Sequence, residues 1–508
     1  MTKRKHIGAV IIAAVLMLLT LGSWALSSPV GASPDEDFHL ASIWCGQGER
    51  EGLCAPGTEP ETRMIPDNIE RAICYSHEAD TSAACQGANF NDGQFGLVES
   101  DRVNGDGLYP SGFYYLTSFF ASENMVVSVI ALRLALATLF TALAAGLWLL
   151  LPRANGAAFV TGVIATFVPF GLFLIPSINP SGWAIASTAL LFPALVAYLS
   201  AQGRRRWAFA GYAVVAAGLG LSARGDSAAY TAVAALAALV MAYEHRREFW
   251  LRAILPVVMI VGSAAAFLSA DQTGSALGGG MAIEGAQQES LRGLMFENFL
   301  ALPELFVGIL GQNFDNSPYT GLGWLDTPLP AIVWVSTTFV CAAVLFAAFA
   351  RWNLRKAIAV GGVGLSLIVI PTILLTQNAV RVGYQVQPRY IMPLLVLLVI
   401  VALTPTAGKP LRNVTFSLPQ ALTFAVLLSV ANGFALYTNL RRYVNPGSYD
   451  LGSGEWWWAA GPSPSVVLIV GTLAFAALMG VLAWAAVRAD KAELELAEPE
   501  LAERASTS

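Results

Sequence analysis

Charge is what this sequence has least of. Of its 508 residues, 12% are Asp, Glu, Lys or Arg, about half the ~25% usual in a soluble protein. With 56% of the residues hydrophobic, that shortage excludes an ordinary water-soluble domain, which has too little apolar interior to hide so much oily surface. The chain contains no G-x-x-x-x-G-K-[ST] segment, so nothing suggests ATP hydrolysis on a phosphate-cradling loop. No internal repeat stands out, which disfavours transporters assembled from inverted repeats.

What the sequence has in abundance is long apolar runs. They fall near residues 7–27, 126–151, 157–176, 182–201, 207–222, 227–243, 253–270, 329–350, 357–376, 390–404, 416–437 and 464–487. Runs of about 20 residues can cross a bilayer as helices, so the fold class expected is an all-α polytopic membrane protein with about 12 transmembrane helices. With the N-terminus inside, each inner connection carries Lys or Arg: Lys3-Arg4-Lys5, Arg153, Arg204-Arg205-Arg206, Arg246-Arg247, Arg351 with Arg355-Lys356, Lys409 with Arg412, and Arg488 with Lys491. That sorting obeys the positive-inside rule and predicts a multi-pass protein of the cell membrane with both termini cytoplasmic.

The expected organisation is a first transmembrane helix at 1–27, an extracytoplasmic loop at 28–125, helices 2–7 at 126–270, a second extracytoplasmic loop at 271–328, helices 8–12 at 329–487, and an acidic cytoplasmic tail at 488–508 that reads as solvated and frayed. The first apolar core exceeds the roughly 7–15 residues of a signal peptide, so it is expected to stay as an anchor.

Cysteine is sparse and lopsided. Cys45, Cys54, Cys74 and Cys85 all lie in the first large loop, while Cys341 sits alone in an apolar run and reads as inert. An even cluster in one hydrophilic loop suggests two disulfides in an oxidising compartment. Three pairings are open; the local one, Cys45–Cys54 with Cys74–Cys85, closes the shortest loops. A zinc site is the alternative, but these spacings do not match a zinc ribbon or knuckle.

The densest chemistry is Ser33-Pro34-Asp35-Glu36-Asp37-Phe38-His39, directly after the first apolar run. Adjacent carboxylates at a membrane surface are costly unless solvated, paired or used. Asp35 or Glu36 could act as a proton acceptor for a hydroxyl. Asp35 and Asp37 could hold a divalent cation such as Mg or Mn, although no cofactor is required. The bland alternative is a helix start, with Ser33 as the N-cap and acidic residues in the first turn.

Outer-facing arginines run against the charge trend. Arg224, Arg381 and Arg389 are candidates for gripping a phosphate through forked hydrogen bonds, with ion pairing to a carboxylate or a lipid headgroup as the plainer reading. Arg133, inside a span, could be a buried partner for the acidic run. His39, Trp324, Asp326 and Tyr390 are candidates for contacting a sugar or acceptor. Trp324 and the Trp456-Trp457-Trp458 triplet also fit interfacial anchors, and Asn179-Pro180 is first a turn signal.

Taken in order, Pro34-Asp35-Glu36 with His39, Asn179-Pro180, Arg224-Gly225-Asp226, Gly323-Trp324-Leu325-Asp326-Thr327 and Gln387-Pro388-Arg389-Tyr390 with Pro393 resemble domain-of-unknown-function family 2142, over residues of about 30 to 440. That family is in turn similar in layout to the GT-C superfamily of membrane glycosyltransferases, whose large first outer loop bears an acidic motif. The resemblance implies a transfer of sugar from a polyprenyl-phosphate donor on the outer face of the lipid bilayer; the expected step inverts the anomeric carbon and delivers the sugar to an envelope glycan or glycolipid acceptor, without nucleic acid. A transporter or flippase of a lipid-linked saccharide is the expectation from another class, and a non-catalytic scaffold the third.

Overall fold

The computed structural model describes residues 3–87, 90, 96–271, 274, 291–314, 320–350, 352–384, 386–406, 416–458 and 460–506, with side chains as far as residue 486. Arg351, Lys409 and Arg412, and the side chains of Arg488 and Lys491, fall outside the described residues. Among the described residues seventeen α-helices follow in chain order: α1 Lys3–Leu26, α2 Glu36–Trp44, α3 Asp67–Arg71, α4 Ser111–Thr117, α5 Met125–Leu150, α6 Arg153–Phe167, α7 Phe170–Leu174, α8 Ser181–Ser200, α9 Arg205–Ala223, α10 Gly225–Ala242, α11 Arg247–Ser269, α12 Leu291–Ile309, α13 Ala331–Phe349, α14 Leu354–Gln377, α15 Pro388–Leu403, α16 Leu418–Val444 and α17 Pro464–Ser506.

Nine of these helices are long and apolar enough to cross a membrane: α1, α5, α8, α10, α11, α13, α14, α16 and the part of α17 at Pro464–Ala486. The other three spans expected from the sequence are helical but differ. The run at 157–176 is divided between α6 and α7 at Val168-Pro169. The run at 207–222 is α9, which opens on Arg205 and Arg206. The run at 390–404 is α15, 16 residues long, which at 1.5 Å per residue is short of a ~30 Å hydrocarbon core.

Helix ends follow local chemistry. The Asn124 side chain accepts from Val127 N at 3.0 Å and starts α5, and Asn353 does the same for Lys356 ahead of α14. Ser417 and Gln420 form a capping box on α16. Arg252 of α11 donates to the carbonyls of Leu199 and Ala201 at the end of α8, where a cation suits the helix dipole. The acidic tail, expected to fray, instead continues α17 to Ser506, in keeping with its Ala, Glu and Leu content.

The bundle is built around α8, which is buried over its whole apolar window and packs on α9, α10, α15 and α5. Small residues permit the close approach: a Cβ at Gly220 of α9 would come within 2.5 Å of Ser187 Oγ, and one at Gly162 of α6 within 2.5 Å of Ile400 Cγ1.

The first large loop is a folded cap. It contains α2, α3, α4 and an antiparallel sheet of β1 Ala55–Pro56, β2 Arg63–Pro66 and β3 Leu97–Ser100, with Arg63 opposite Ser100 and Ala55 opposite Met64. Two disulfides close it, Cys45–Cys54 and Cys74–Cys85, the local pairing. The cap is pinned to the bundle by Arg442 of α16, which donates to the carbonyls of Tyr75, Glu78 and Thr81 and pairs with Asp326 at 2.9 Å. The second large loop is not structureless either, because α12 lies within it and packs on α14 and α15.

The tryptophan triplet also serves packing. Trp457 and Trp458 are buried, and Trp458 Nε1 donates to Leu26 O at the end of α1. The interfacial-anchor expectation for these two is therefore replaced by a helix cap and an aromatic cluster with Tyr443.

Candidate functional site

The acidic run sits at the start of α2, and its three carboxylates have three different fates. Asp35, not Ser33, is the N-cap, with φ 57° and ψ 24°. A non-glycine residue in this left-handed region costs about 1 kcal/mol, and the surroundings enforce it. Asn179 Nδ2 donates to Pro34 O at 2.9 Å and Arg389 Nη1 to the same oxygen at 3.4 Å, which fixes the turn and aims Asp35 away from the helix end it would otherwise cap.

The Asp35 carboxylate meets Arg389 Nη2 at 2.8 Å and lies 3.6 Å from Arg102. Its side chain is 37% exposed, against 2% for Arg389. Burial pushes its pKa up, but the charges of Arg389, His39 and Arg102 outweigh that and hold it down at about 2. It is an ionised carboxylate that solvent can reach.

Glu36 is different. It is fully buried and bonds Arg133 of α5 at 2.8 and 3.2 Å, while its other bond comes from Ser33 N at 2.7 Å. Arg133 also donates to the carbonyls of Ala25, in the last turn of α1, and of Ser28 and Pro29 just beyond it. Glu36 thus joins α1, α2 and α5, and no acceptor hydroxyl can reach it; the catalytic expectation for this residue gives way to a structural role.

Asp37 is held by Arg102 in a two-point pair of 2.8 and 3.1 Å. Among the described residues no group of three or more His, Cys, Asp or Glu side chains gathers as a metal site, and arginines pair with both Asp35 and Asp37, the two carboxylates that the sequence offers to a cation.

His39 is buried behind Asp35, with Nδ1 3.0 Å from Tyr114 Oη. Burial depresses its pKa, the nearby Asp35 opposes this, and the arginines 389, 224 and 102 add to the fall, leaving it at about 3. A neutral, enclosed imidazole supports the site from behind rather than touching a ligand.

Arginine and aromatic side chains complete the front. Arg224, at the turn between α9 and α10, pairs with Asp226 at 3.0 Å and lies 4.2 Å over the Tyr390 ring, a cation–π distance. Arg389 stacks on the same ring at 5.1 Å and donates to Tyr390 Oη at 3.2 Å. Tyr109 packs against Phe38 and His39, each 5.5 Å away, and lies under Arg224. Burial raises the Tyr109 phenol to about 12, so it remains a hydrogen-bond donor at neutral pH. The structure therefore brings Asp35, His39, Arg224, Arg389 and Tyr390 together, as the sequence suggested, and adds Arg102, Tyr109 and Tyr114.

A cavity of about 420 Å³ opens beside this cluster, between the 104–111 segment, the Arg224 turn and the end of α11. Arg224, Tyr109, Asn104 and Asp271 are among its lining residues. Asn104 fixes the segment by bonding both the N–H and the carbonyl of Tyr109.

Three expected site residues lie elsewhere. Arg381 pairs with Glu297 of α12 at 3.2 Å, both half-exposed. Trp324 Nε1 donates to Gly31 O at 2.7 Å, and its ring meets His77. Asp326 is buried in its pair with Arg442. Gly323 has φ 62°, and a Cβ there would meet Tyr443 Oη at 2.5 Å. The 321–327 segment thus locks the cap to α16, which is a reason for its residues quite apart from sugar contact.

The family described as "Predicted membrane protein (DUF2142)" matches residues 18–398, a stretch that holds every member of the Asp35–Arg389 cluster. No curated protein matches the chain.

Proposed function

The chain belongs to the DUF2142 family of predicted membrane proteins, and from that premise we propose that it is a membrane glycosyltransferase working from a polyprenyl-phosphate sugar donor. One observation carries the reading: a solvent-accessible carboxylate, Asp35, bonded at 2.8 Å to a buried arginine, Arg389, which shares Tyr390 with Arg224. A base and an anion site lie side by side at the end of a lipid-embedded bundle. The cap is assigned to the extracytoplasmic side, because its disulfides require an oxidising compartment and the opposite helix ends carry the arginines.

In the proposed step the donor phosphate competes for Arg389 and Arg224, whose forked donors suit phosphate oxygens. Asp35 loses its ion pair as this happens, and its pKa climbs towards the ordinary carboxylate range, making it a better base. Asp35 takes the proton of an acceptor hydroxyl. The hydroxyl oxygen forms a bond to the anomeric carbon from the face opposite the leaving group. The bond from that carbon to the phosphate oxygen breaks, and polyprenyl phosphate departs with the electron pair, its charge met by the arginines. The configuration inverts. The acceptor is an envelope glycan or glycolipid reached through the cavity beside Tyr109.

The test is reconstitution of the full chain in nanodiscs with a synthetic polyprenyl-phosphate sugar and a panel of acceptors. Mass spectrometry should detect a new glycosidic bond that Asp35→Asn abolishes. Movement of the lipid-linked sugar between leaflets of a liposome with no new bond would instead favour a flippase.

A further inference from the structure

The opposite end of the bundle holds a second cavity, open on one side, that shares no residue with the Asp35–Arg389 cluster. It measures about 350 Å³ and lies between α1, α5, α6, α13, α16 and α17. Its walls are almost wholly apolar, with Ala157, Phe424 and Met479 among them, and among the described residues its ionisable lining groups are His6 and Arg153. His6 lies edge-on to Trp148, 6.0 Å away, at the mouth. Arg153 is exposed, as are Arg4 and Lys5 on the neighbouring turn of α1.

Apolar walls exclude a polar solute, and a cationic rim excludes a cationic one. The combination matches a molecule with a hydrocarbon chain and an anionic head. Arg4 and Lys5 stand at the start of the apolar span of α1, and Arg153 follows closely on the end of the α5 span at Leu150, the depth at which a lipid headgroup sits. From these observations we infer that the cavity is a binding site for one anionic phospholipid, its acyl chain between α6 and α16 and its phosphate beside Arg153 and His6. The site is independent of the proposed transfer chemistry and lies at the other membrane surface.

Trp148 makes the site readable. The full chain in mixed micelles is titrated with brominated-chain phosphatidylglycerol or brominated-chain phosphatidylcholine, and tryptophan fluorescence is compared between wild type and Trp148→Phe, so that the difference isolates Trp148. The expected result is half-quenching of Trp148 at an about fivefold lower mole fraction of phosphatidylglycerol, the effect of about one basic side chain near an anionic headgroup. Arg153→Gln should remove the preference, and Ala157→Phe should remove the quenching itself. Equal quenching by the two lipids in wild type would overturn the proposal, since that is the behaviour of ordinary surrounding lipid. So would relief of quenching by polyprenyl phosphate but not by unbrominated phosphatidylglycerol, which would make the cavity a port for the donor.

Discussion

Asp35 and Arg389 stand 354 residues apart in sequence and 2.8 Å apart in the fold. Their contact ties the start of the cap to the first turn of α15. On the proposed reading, Asp35→Asn lowers sugar transfer by about 10²–10⁴-fold, the usual worth of a positioned acid–base group. Arg389 is almost fully buried and would lose its carboxylate partner, so the thermal midpoint in detergent should also fall, and transfer is compared per folded protein. A variant that transferred sugar at the wild-type rate would remove Asp35 from the chemistry.

Glu36 and Arg133 make the opposite prediction. Both are buried, and removing one partner strands a charge, at a cost of about 3–5 kcal/mol. Glu36→Gln should therefore lower the unfolding midpoint sharply. The paired change Glu36→Leu with Arg133→Met should recover part of that loss, because neither charge remains. Normal stability in Glu36→Gln would contradict the role assigned to the pair.

Stability should fall with acid in a window set by His39. Its folded pKa of about 3 lies below the ordinary 6.5, so between those values the unfolded chain binds a proton that the folded chain does not. Stability from this group is full above pH 6.5 and declines by up to about 1.4 kcal/mol per pH unit below it. Asp35, held at about 2 against an ordinary 3.8, adds its own loss only below that ordinary value. Unfolding midpoints from pH 7 to pH 4 should thus slope less in His39→Gln than in wild type; identical slopes would refute the assignment.

Reducing the cap should loosen it without dissolving the bundle. The loop closed by Cys45–Cys54 spans 9 residues, which corresponds to about 3 kcal/mol of chain entropy. Reductant should speed proteolysis of the cap while helix content by circular dichroism stays near its starting value. A global loss of helix would show that the cap holds the spans together.

The sequence displayed those features whose cause is local. Apolar runs gave the long helices, four clustered cysteines gave the disulfides, and the acidic run marked the start of α2. It could not separate Asp35 from Glu36, since burial of Glu36 depends on Arg133, 97 residues away. Asp326 looked like a free hydrogen-bond acceptor for the same reason, its partner Arg442 lying 116 residues further on. Arg102, Tyr109 and Tyr114 carry no motif; only the folded cap brings them to the site. The helix α12 was hidden for another reason. Its inward positions recur at helical spacing, apolar at Leu294, Leu302 and Leu305 with polar Asn298 between them, but charges at Arg292, Glu297 and Glu304 interrupt the run, so it reads as loop.

The helix Ser181–Ser200 has no face left for lipid once the fold is complete. One of its neighbours, Pro388–Leu403, emerges from the ribosome only after most of the chain has been made. Until then fatty acyl chains must stand in for it, and they are squeezed out when it arrives. Docking of Pro388–Leu403 therefore desolvates that flank of the central helix, and a message truncated before codon 388 should yield a protein whose central helix stays greasy on one flank, a ready substrate for membrane quality-control proteases.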